Sequence, residues 1–213
     1  GVLLGLGKLI GSLYIALLGY VLFVMGPAAL LFRIPVMRFL RAAKDPYILA
    51  FSTASSEAAF PMAMRNMERF GVPRHIVSFV LPTGYSFNLD GSTLYLALAS
   101  VFVAQAAGVD MSMSQQLTMI ATLMLTSKGV AAVPRASLVI LAATLSTFNL
   151  PLEGVALILG VDTLMDMGRT SVNLLGNCLA TAAVARWEGY DLVPQDEKEE
   201  SAAPGAAAAQ AQE

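Results

Sequence analysis

The chain has 213 residues, 56% of them hydrophobic and 13% charged, with a formal net charge of −2 and a mean hydropathy of +0.67. A soluble domain of this length does not ordinarily hide so much apolar surface, so the composition points to a membrane protein. The lack of a basic stripe argues against a nucleic-acid partner, and the single Cys178 and single His75 argue against a disulfide framework or a metal site built from cysteine or histidine.

The chain opens on Gly1 and is apolar at once, with no basic n-region or cleavage site, so no signal peptide is expected and the start reads as a cut through a longer protein. Residues 1–45 read as a transmembrane helix with a cytoplasmic basic end. Leu9 to Phe32 is 24 residues without a charge, enough to cross the hydrocarbon core, which needs about 20. Pro27 is placed to kink it. Arg33, Arg38, Arg41 and Lys44 follow, and such clustering beside a span marks the cytoplasmic side.

Residues 46–72 read as a first re-entrant hairpin. Pro46 to Met64 is apolar, with a polar centre at Ser52, Thr53, Ser55 and Ser56 and one acid, Glu57; Arg65, Arg69 and Arg74 follow. Basic residues flank both ends, and 19 residues cannot cross and return when two spans need about 40. A polar tip buried at membrane depth fits; the alternative is a cytoplasmic amphipathic hairpin. Residues 73–110 read as a broken transmembrane helix. His75 to Gly108 carries one charge, Asp90, and its middle, Ser86-Phe87-Asn88-Leu89-Asp90-Gly91-Ser92, is rich in breakers, so two half-helices with an unwound centre are expected.

Residues 111–152 hold two apolar arms around Ser127-Lys128-Gly129-Val130-Ala131-Ala132-Val133-Pro134-Arg135. The expectation is a second re-entrant hairpin; two full spans with Lys128 and Arg135 in a cytoplasmic turn are the alternative that charge alone favours. Residues 153–190 read as the last span, Gly154 to Ala185, with Arg186 at its cytoplasmic exit. Residues 191–213 read as an acidic, disordered cytoplasmic tail. Ala58-Ala59-Phe60-Pro61 recurs as Ala131-Ala132-Val133-Pro134, 73 residues on. Each copy precedes a long helix with a polar centre, so the layout reads as an inverted repeat, a plan of secondary transporters.

The last span carries most of the chemistry. At 3.6 residues per turn, Asp162, Asp166, Arg169, Thr170, Asn173 and Asn177 share an arc of about 100°. Placing a charge at the bilayer centre costs roughly 2.5–3.5 kcal/mol on insertion scales, so such residues are usually functional. One reading is a mutual Asp–Arg pair that locks helices together. The other is recognition of a guest, with the Arg169 fork holding a carboxylate and Asp166 an ammonium. Together they suit an amino acid with an extra carboxylate.

Ser55-Ser56-Glu57, Asn88-Leu89-Asp90-Gly91-Ser92, Thr126-Ser127-Lys128-Gly129 with Val133-Pro134, and Asp166-Met167-Gly168-Arg169-Thr170 with Asn173 stand in this order. On these motifs the chain resembles the dicarboxylate/amino acid:cation symporter family from about Leu9 to Asp191. The resemblance implies an all-α membrane protein with two re-entrant hairpins in an inverted repeat. It also implies a homotrimer with five helices preceding this region, and a second hairpin that gates the site. By resemblance, Arg169 binds the side-chain carboxylate and Asp166 the ammonium. Thr170, Asn173, Ser92, Ser55, Ser56, Gly129 and Val130 then line the site, and Asn88, Asp90, Asn173, Asn177 and Asp162 lie in or near cation sites. Sodium suits such hard oxygen ligands.

Three departures shift the expected coupling toward protons: Asn177 where many members have an aspartate, Leu96 where the excitatory transporters have an acid, and Ala54 and Met167 where members carry an arginine. Glu57 is then the acid placed to accept a proton, or else a hydrogen-bonded staple of its hairpin. The expected activity is symport of glutamate or aspartate with H⁺ or Na⁺ across the inner membrane, with no cofactor beyond that ion. A C4-dicarboxylate symporter is the near alternative, and an ion channel or membrane scaffold the distant one. An enzyme is not expected, since no nucleophile–base pair is visible.

Overall fold

The computed structural model describes residues 2–127 and 136–193. The tip of the second expected hairpin, Lys128 to Arg135 with Gly129 and Val130, lies outside the described residues. So do the second copy of the repeat at Ala131–Pro134 and the tail beyond Val193. Among the described residues the chain is helical with no strand, as a chain that must satisfy its backbone within lipid requires.

Helix α1, Val2–Tyr20, passes through a π-helical turn at Val21–Met25 into α2, Gly26–Leu31. The helix starts seven residues before the expected Leu9, because Lys8 alone interrupts the apolar run and lies exposed. Pro27 has no N–H to donate and its ring crowds the preceding turn. The chain accommodates it by widening that turn, with the Gly26 N–H reaching the Val21 carbonyl.

Helix α3, Val36–Thr53, packs against α4, Ser56–Phe70. The first arm therefore begins ten residues before the expected Pro46, which lies buried inside α3. Pro35 stands at the N-cap with φ −69°, set by its ring for a helix start. The reversal comes at Ala54 (φ 49°) and Ser55, whose hydroxyl caps α4 by accepting from the Ala58 N–H at 3.3 Å. Gly71 (φ 111°) closes α4 in a left-handed cap.

Helix α5, Arg74–Phe87, leaves helical geometry at Asn88 and Leu89 before α6, Asp90–Ala106. Helices α7, Met113–Thr126, and α8, Ala136–Thr147, follow. The last expected span is two helices and not one: α9, Glu153–Leu159, and α10, Asp162–Trp187, separated at Gly160 and Val161. The two long unions thus share a plan: a two-residue break, then an aspartate opening the second helix. Leu3–Leu31 and Arg74–Ala106 are long and apolar enough to cross a membrane.

Helix α10 is the core of the molecule, packed by α1, α3, α4, α5, α6 and α9. Every residue from Gly168 to Leu179 is buried, so the faces left open between lipid and protein by the sequence pattern are protein-packed. Beyond it the chain folds back over the basic end. Arg186 Nη1 donates to Asp191 Oδ1 at 2.8 Å and Nη2 to the Arg33 carbonyl at 3.1 Å, while Arg38 Nη2 donates to the Leu192 carbonyl at 2.6 Å. Asp191 to Val193 therefore belong to the folded unit and not to the expected disordered tail, because Leu192 buries its side chain there.

The break before α6 lies directly on α10. A Cβ built on Gly91 would meet the Arg169 carbonyl oxygen at 2.5 Å and its Cα at 2.9 Å. Backbone atoms on both sides leave little room to relax. Gly91→Ala is expected to destabilise the protein by about 1–3 kcal/mol, the usual range for overpacking. The check is the thermal unfolding midpoint of the detergent-purified protein; an unchanged midpoint would contradict the close approach.

Candidate functional site

The site grows from the first four turns of α10. Asp162 opens the helix, Asp166 follows one turn later, and Arg169 lies a turn beyond that. The Arg169 guanidinium is 2% exposed. Its Nη1 donates to Asp162 Oδ1 at 2.9 Å and Nη2 to Asp162 Oδ2 at 3.4 Å, and its Nε donates to Asp166 Oδ1 at 2.9 Å. The ring of Tyr95, from α6, covers the guanidinium at 4.1 Å, a cation–π contact strengthened by the absence of competing solvent.

Of the two readings of this pair, the mutual contact is present: Arg169 and Asp166 are hydrogen-bonded to one another. A guanidinium this deeply buried must find acceptors, and two carboxylates within two helical turns supply them. Asp162, which the resemblance places in or near the cation sites, gives both carboxylate oxygens to Arg169. Capacity for a further partner remains. Three of the five guanidinium N–H donors are engaged among the described residues. Thr170 Oγ1 also donates to Asp166 Oδ1, at 3.0 Å, so both bonds to Asp166 fall on one oxygen. The Asp166 side chain is 23% exposed against 2% for Asp162, which makes it the open member of the trio. Two carboxylates and one guanidinium leave a formal charge of −1 in the cluster.

Asn173 joins α10 to the break. Its Oδ1 accepts from the Gly91 N–H at 2.8 Å and the Ser92 N–H at 3.3 Å, and its Nδ2 donates to Ser92 Oγ at 2.9 Å. Helix α6 has no side-chain cap of its own at Leu89, so Asn173 satisfies its orphan N–H groups from 82 residues away. With the Asn88 amide turned to donate, its nitrogen stands 2.8 and 3.0 Å from the Asp90 carboxylate oxygens, and its oxygen faces the Asn177 amide at 3.1 Å. Asn88, Asp90 and Asn177 thus form one oxygen-rich cluster. Ser127, buried at the end of α7, brings its hydroxyl within 3.5 Å of Thr93 Oγ1, beside Ser92. The structure therefore gathers Arg169, Asp166, Asp162, Thr170, Asn173, Ser92, Asn88, Asp90 and Asn177 around α10 and the start of α6.

Ser55 bonds within its own turn, Ser56 is partly buried as the first residue of α4, and Gly129 and Val130 lie outside the described residues. Glu57 is exposed and accepts from the Tyr85 hydroxyl at 2.9 Å, which ties the first hairpin to α5. The sequence reading missed Tyr95 and Tyr85. Neither has a spacing signal, since each meets its partner on another helix. The Asp162–Arg169 pair was legible in principle, two turns apart on one face.

Among the described residues the chain is helical and apolar, with an arginine and two aspartates gathered at its core beside a broken helix, a pattern found in membrane proteins. The model of the sodium:dicarboxylate symporter family matches residues 1–187, and the chain belongs to that family; it is therefore an integral membrane protein. It is 52% identical over 187 residues to a proton/sodium-glutamate symport protein of Bacillus caldotenax, covering 88% of this chain and 44% of that protein. It is 50% identical over 183 residues to a proton/glutamate-aspartate symporter of Escherichia coli strain K12, covering 86% and 42%. A C4-dicarboxylate transport protein of Polaromonas naphthalenivorans is 45% identical over 190 residues, covering 89% and 42%. The chain spans less than half the length of these relatives.

Asp162→Asn leaves Arg169 without its fully buried partner and is expected to cost about 3–5 kcal/mol of stability. Asp166→Asn, at the more open position, is expected to cost clearly less. Equal shifts of the unfolding midpoint for the two variants would contradict this ranking.

Proposed function

We propose that this chain is the substrate-carrying part of a secondary active symporter for acidic amino acids, glutamate or aspartate, driven by H⁺ or Na⁺. The observation that carries the reading is the trio on α10: a buried guanidinium with two donors unused among the described residues, beside a partly open carboxylate with one oxygen unused among them. An amino acid with two carboxylates offers the complement of both, its side-chain carboxylate for Arg169 and its ammonium for Asp166. The names of the first relatives support this choice over a C4-dicarboxylate. The Polaromonas protein keeps the alternative in play, but a C4-dicarboxylate has no ammonium for Asp166. A channel would need a continuous polar path, whereas the buried polar groups described here are bonded to one another between α10 and the start of α6.

Thr170, Asn173, Ser92, Ser55 and Ser56 belong in this reading to the lining of the site, with Gly129 and Val130 at the second hairpin tip. Asn88, Asp90, Asn177 and Asn173 supply hard oxygens for a coupling cation. Asp162 acts through Arg169, holding its fork in place.

The hairpin reading has support in length. Val36 to Phe70 and Met113 to Thr147 are 35 residues each, short of the roughly 40 that two crossings require. Arms α7 and α8, of 14 and 12 residues, would reach about 21 and 18 Å against a core of ~30 Å. The two breaks, Asn88–Leu89 and Gly160–Val161, each precede an aspartate 72 residues apart, close to the 73-residue offset of the sequence repeat. That supports two units of one plan, inverted in the membrane. In this reading the basic end and the C-terminus are cytoplasmic, the complete protein sits in the inner membrane as a homotrimer, and the site alternates between its two sides.

Arg169→Cys in the intact transporter is expected to abolish uptake of labelled glutamate and aspartate into proteoliposomes; retained glutamate uptake would contradict its role. Parallel uptake of labelled succinate separates the two substrate classes, and succinate taken up in place of glutamate would overturn the assignment. Glu57 is the proton acceptor in this scheme. Glu57→Gln keeps an oxygen for Tyr85, so a changed pH profile of uptake reports titration and not loss of the staple. An unchanged profile would remove Glu57 from coupling.

A further inference from the structure

Two cavities at the basic end of the molecule meet at one side chain. The larger, about 760 Å³, is a groove between α1, the π-helical turn, α3 and α10, floored by Leu17, Val172 and Leu175 and walled by Leu18 and Leu40. Arg41 and Lys44 stand at its rim. The smaller, about 250 Å³, lies between α3 and α4 and is lined by Arg38, Arg41, Asn66 and Arg69. Arg41 belongs to both. The residues forming this junction sit outside the α10 ion cluster and have no part in the transport scheme above.

Among the described residues these charges meet no carboxylate. Arg38 reaches a backbone carbonyl, that of Leu192, and lies over the Phe70 ring. Among the described residues none of Arg41, Lys44 and Arg69 makes an ion pair. The nearby acids do not neutralise them: Glu68 faces Arg74 at 4.0 Å, and Asp45, next to Lys44, is exposed. The groove volume falls within the ~300–1,000 Å³ of small-molecule sites. An apolar groove that leads to Arg38, Arg41, Lys44 and Arg69, none of them in an ion pair among the described residues, matches one chemistry, an acyl chain attached to an anionic head.

We propose that this junction binds an anionic phospholipid, with its phosphate held by Arg41, Arg69 and Arg38 and one acyl chain laid in the groove between α1 and α3. Basic pockets between transmembrane helices are a known form of headgroup site, and the positive residues gather on the side where anionic lipid is attracted. Arg41 is the pivot, because it alone borders both head and tail cavities. The site differs from bulk boundary lipid in requiring the charge: a zwitterionic lipid of equal chain length fills the groove without the arginine contacts.

The test uses the intact transporter in nanodiscs carrying the reporter Leu40→Trp, with the parent protein as baseline. Quenching of the added tryptophan is compared between bromine-labelled phosphatidylglycerol and bromine-labelled phosphatidylcholine, each titrated into unlabelled phosphatidylcholine. The expected result is half-maximal quenching at a severalfold lower mole fraction of phosphatidylglycerol. Arg41→Gln and Arg69→Gln should each erode that preference about fivefold, until it vanishes, while quenching by phosphatidylcholine stays as it was. The unchanged phosphatidylcholine response, with unchanged helical circular dichroism, shows that the variants are folded. Equal quenching by the two lipids, or a preference that survives Arg41→Gln with Arg69→Gln, would overturn the proposal. Quenching by neither lipid would also overturn it, since the groove is then filled by another part of the protein.

Discussion

A guanidinium with 2% of its surface exposed, inside a membrane protein, is the constraint around which the rest of this molecule is arranged. Taken alone it would be prohibitively costly to desolvate. Two carboxylates on its own helix and an aromatic face on the next one offset that cost. The geometry follows from helical spacing: residues seven apart return to the same side two turns on, and residues three apart are neighbours. Asp162 is thus able to take the far edge of the fork while Asp166 takes Nε. The inner carboxylate is fully engaged and the outer one is half open, and that asymmetry gives the cluster an inside and an outside.

The second constraint is backbone supply. Breaking a helix at membrane depth exposes N–H and C=O groups that lipid cannot satisfy. The break before α6 is tolerated because α10 passes directly beneath it. Gly91 allows the backbones to touch and Asn173 caps the new helix start. The N-terminal end of α6 carries positive partial charge, and Asp90 lies in its first turn. Asp162 has the same relation to α10. Each break therefore produces both a helix terminus and a carboxylate beside it. Burial of α10 on all sides from Gly168 to Leu179 makes this helix the common support, so positions on it are fixed relative to one another with little freedom.

The opposite character holds at the basic end. There the arginines and Lys44 are exposed or half-buried, and the chain beyond α10 is drawn back over them by backbone carbonyls and not by carboxylates, Arg186 with Asp191 aside. Charge that is largely paired at the centre, with one carboxylate in excess, and left without carboxylates at the margin among the described residues gives the molecule two different electrostatic surfaces. The proposed amino-acid site draws on the first, and the proposed lipid site on the second.

Composition, charge-free runs and breaker residues in this sequence carry the helical membrane class, the break at Asn88 and Leu89, the reversal near Ser55 and the polar face of α10, because each depends on residues close together along the chain. The motif order carries the family. What the sequence pattern could not give are relations between distant segments: Tyr95 over Arg169, Asn173 capping α6, Tyr85 on Glu57, and Leu192 folded back beneath Arg38. It also left two boundaries misplaced, at Pro46 and at Gly160, where packing carries a helix through a proline or stops one at a glycine. The largest difference concerns Arg169. Its position on the polar face is written in a local period, but whether it stands alone or bonds Asp162 and Asp166 is decided by burial, and burial is a property of the packed bundle.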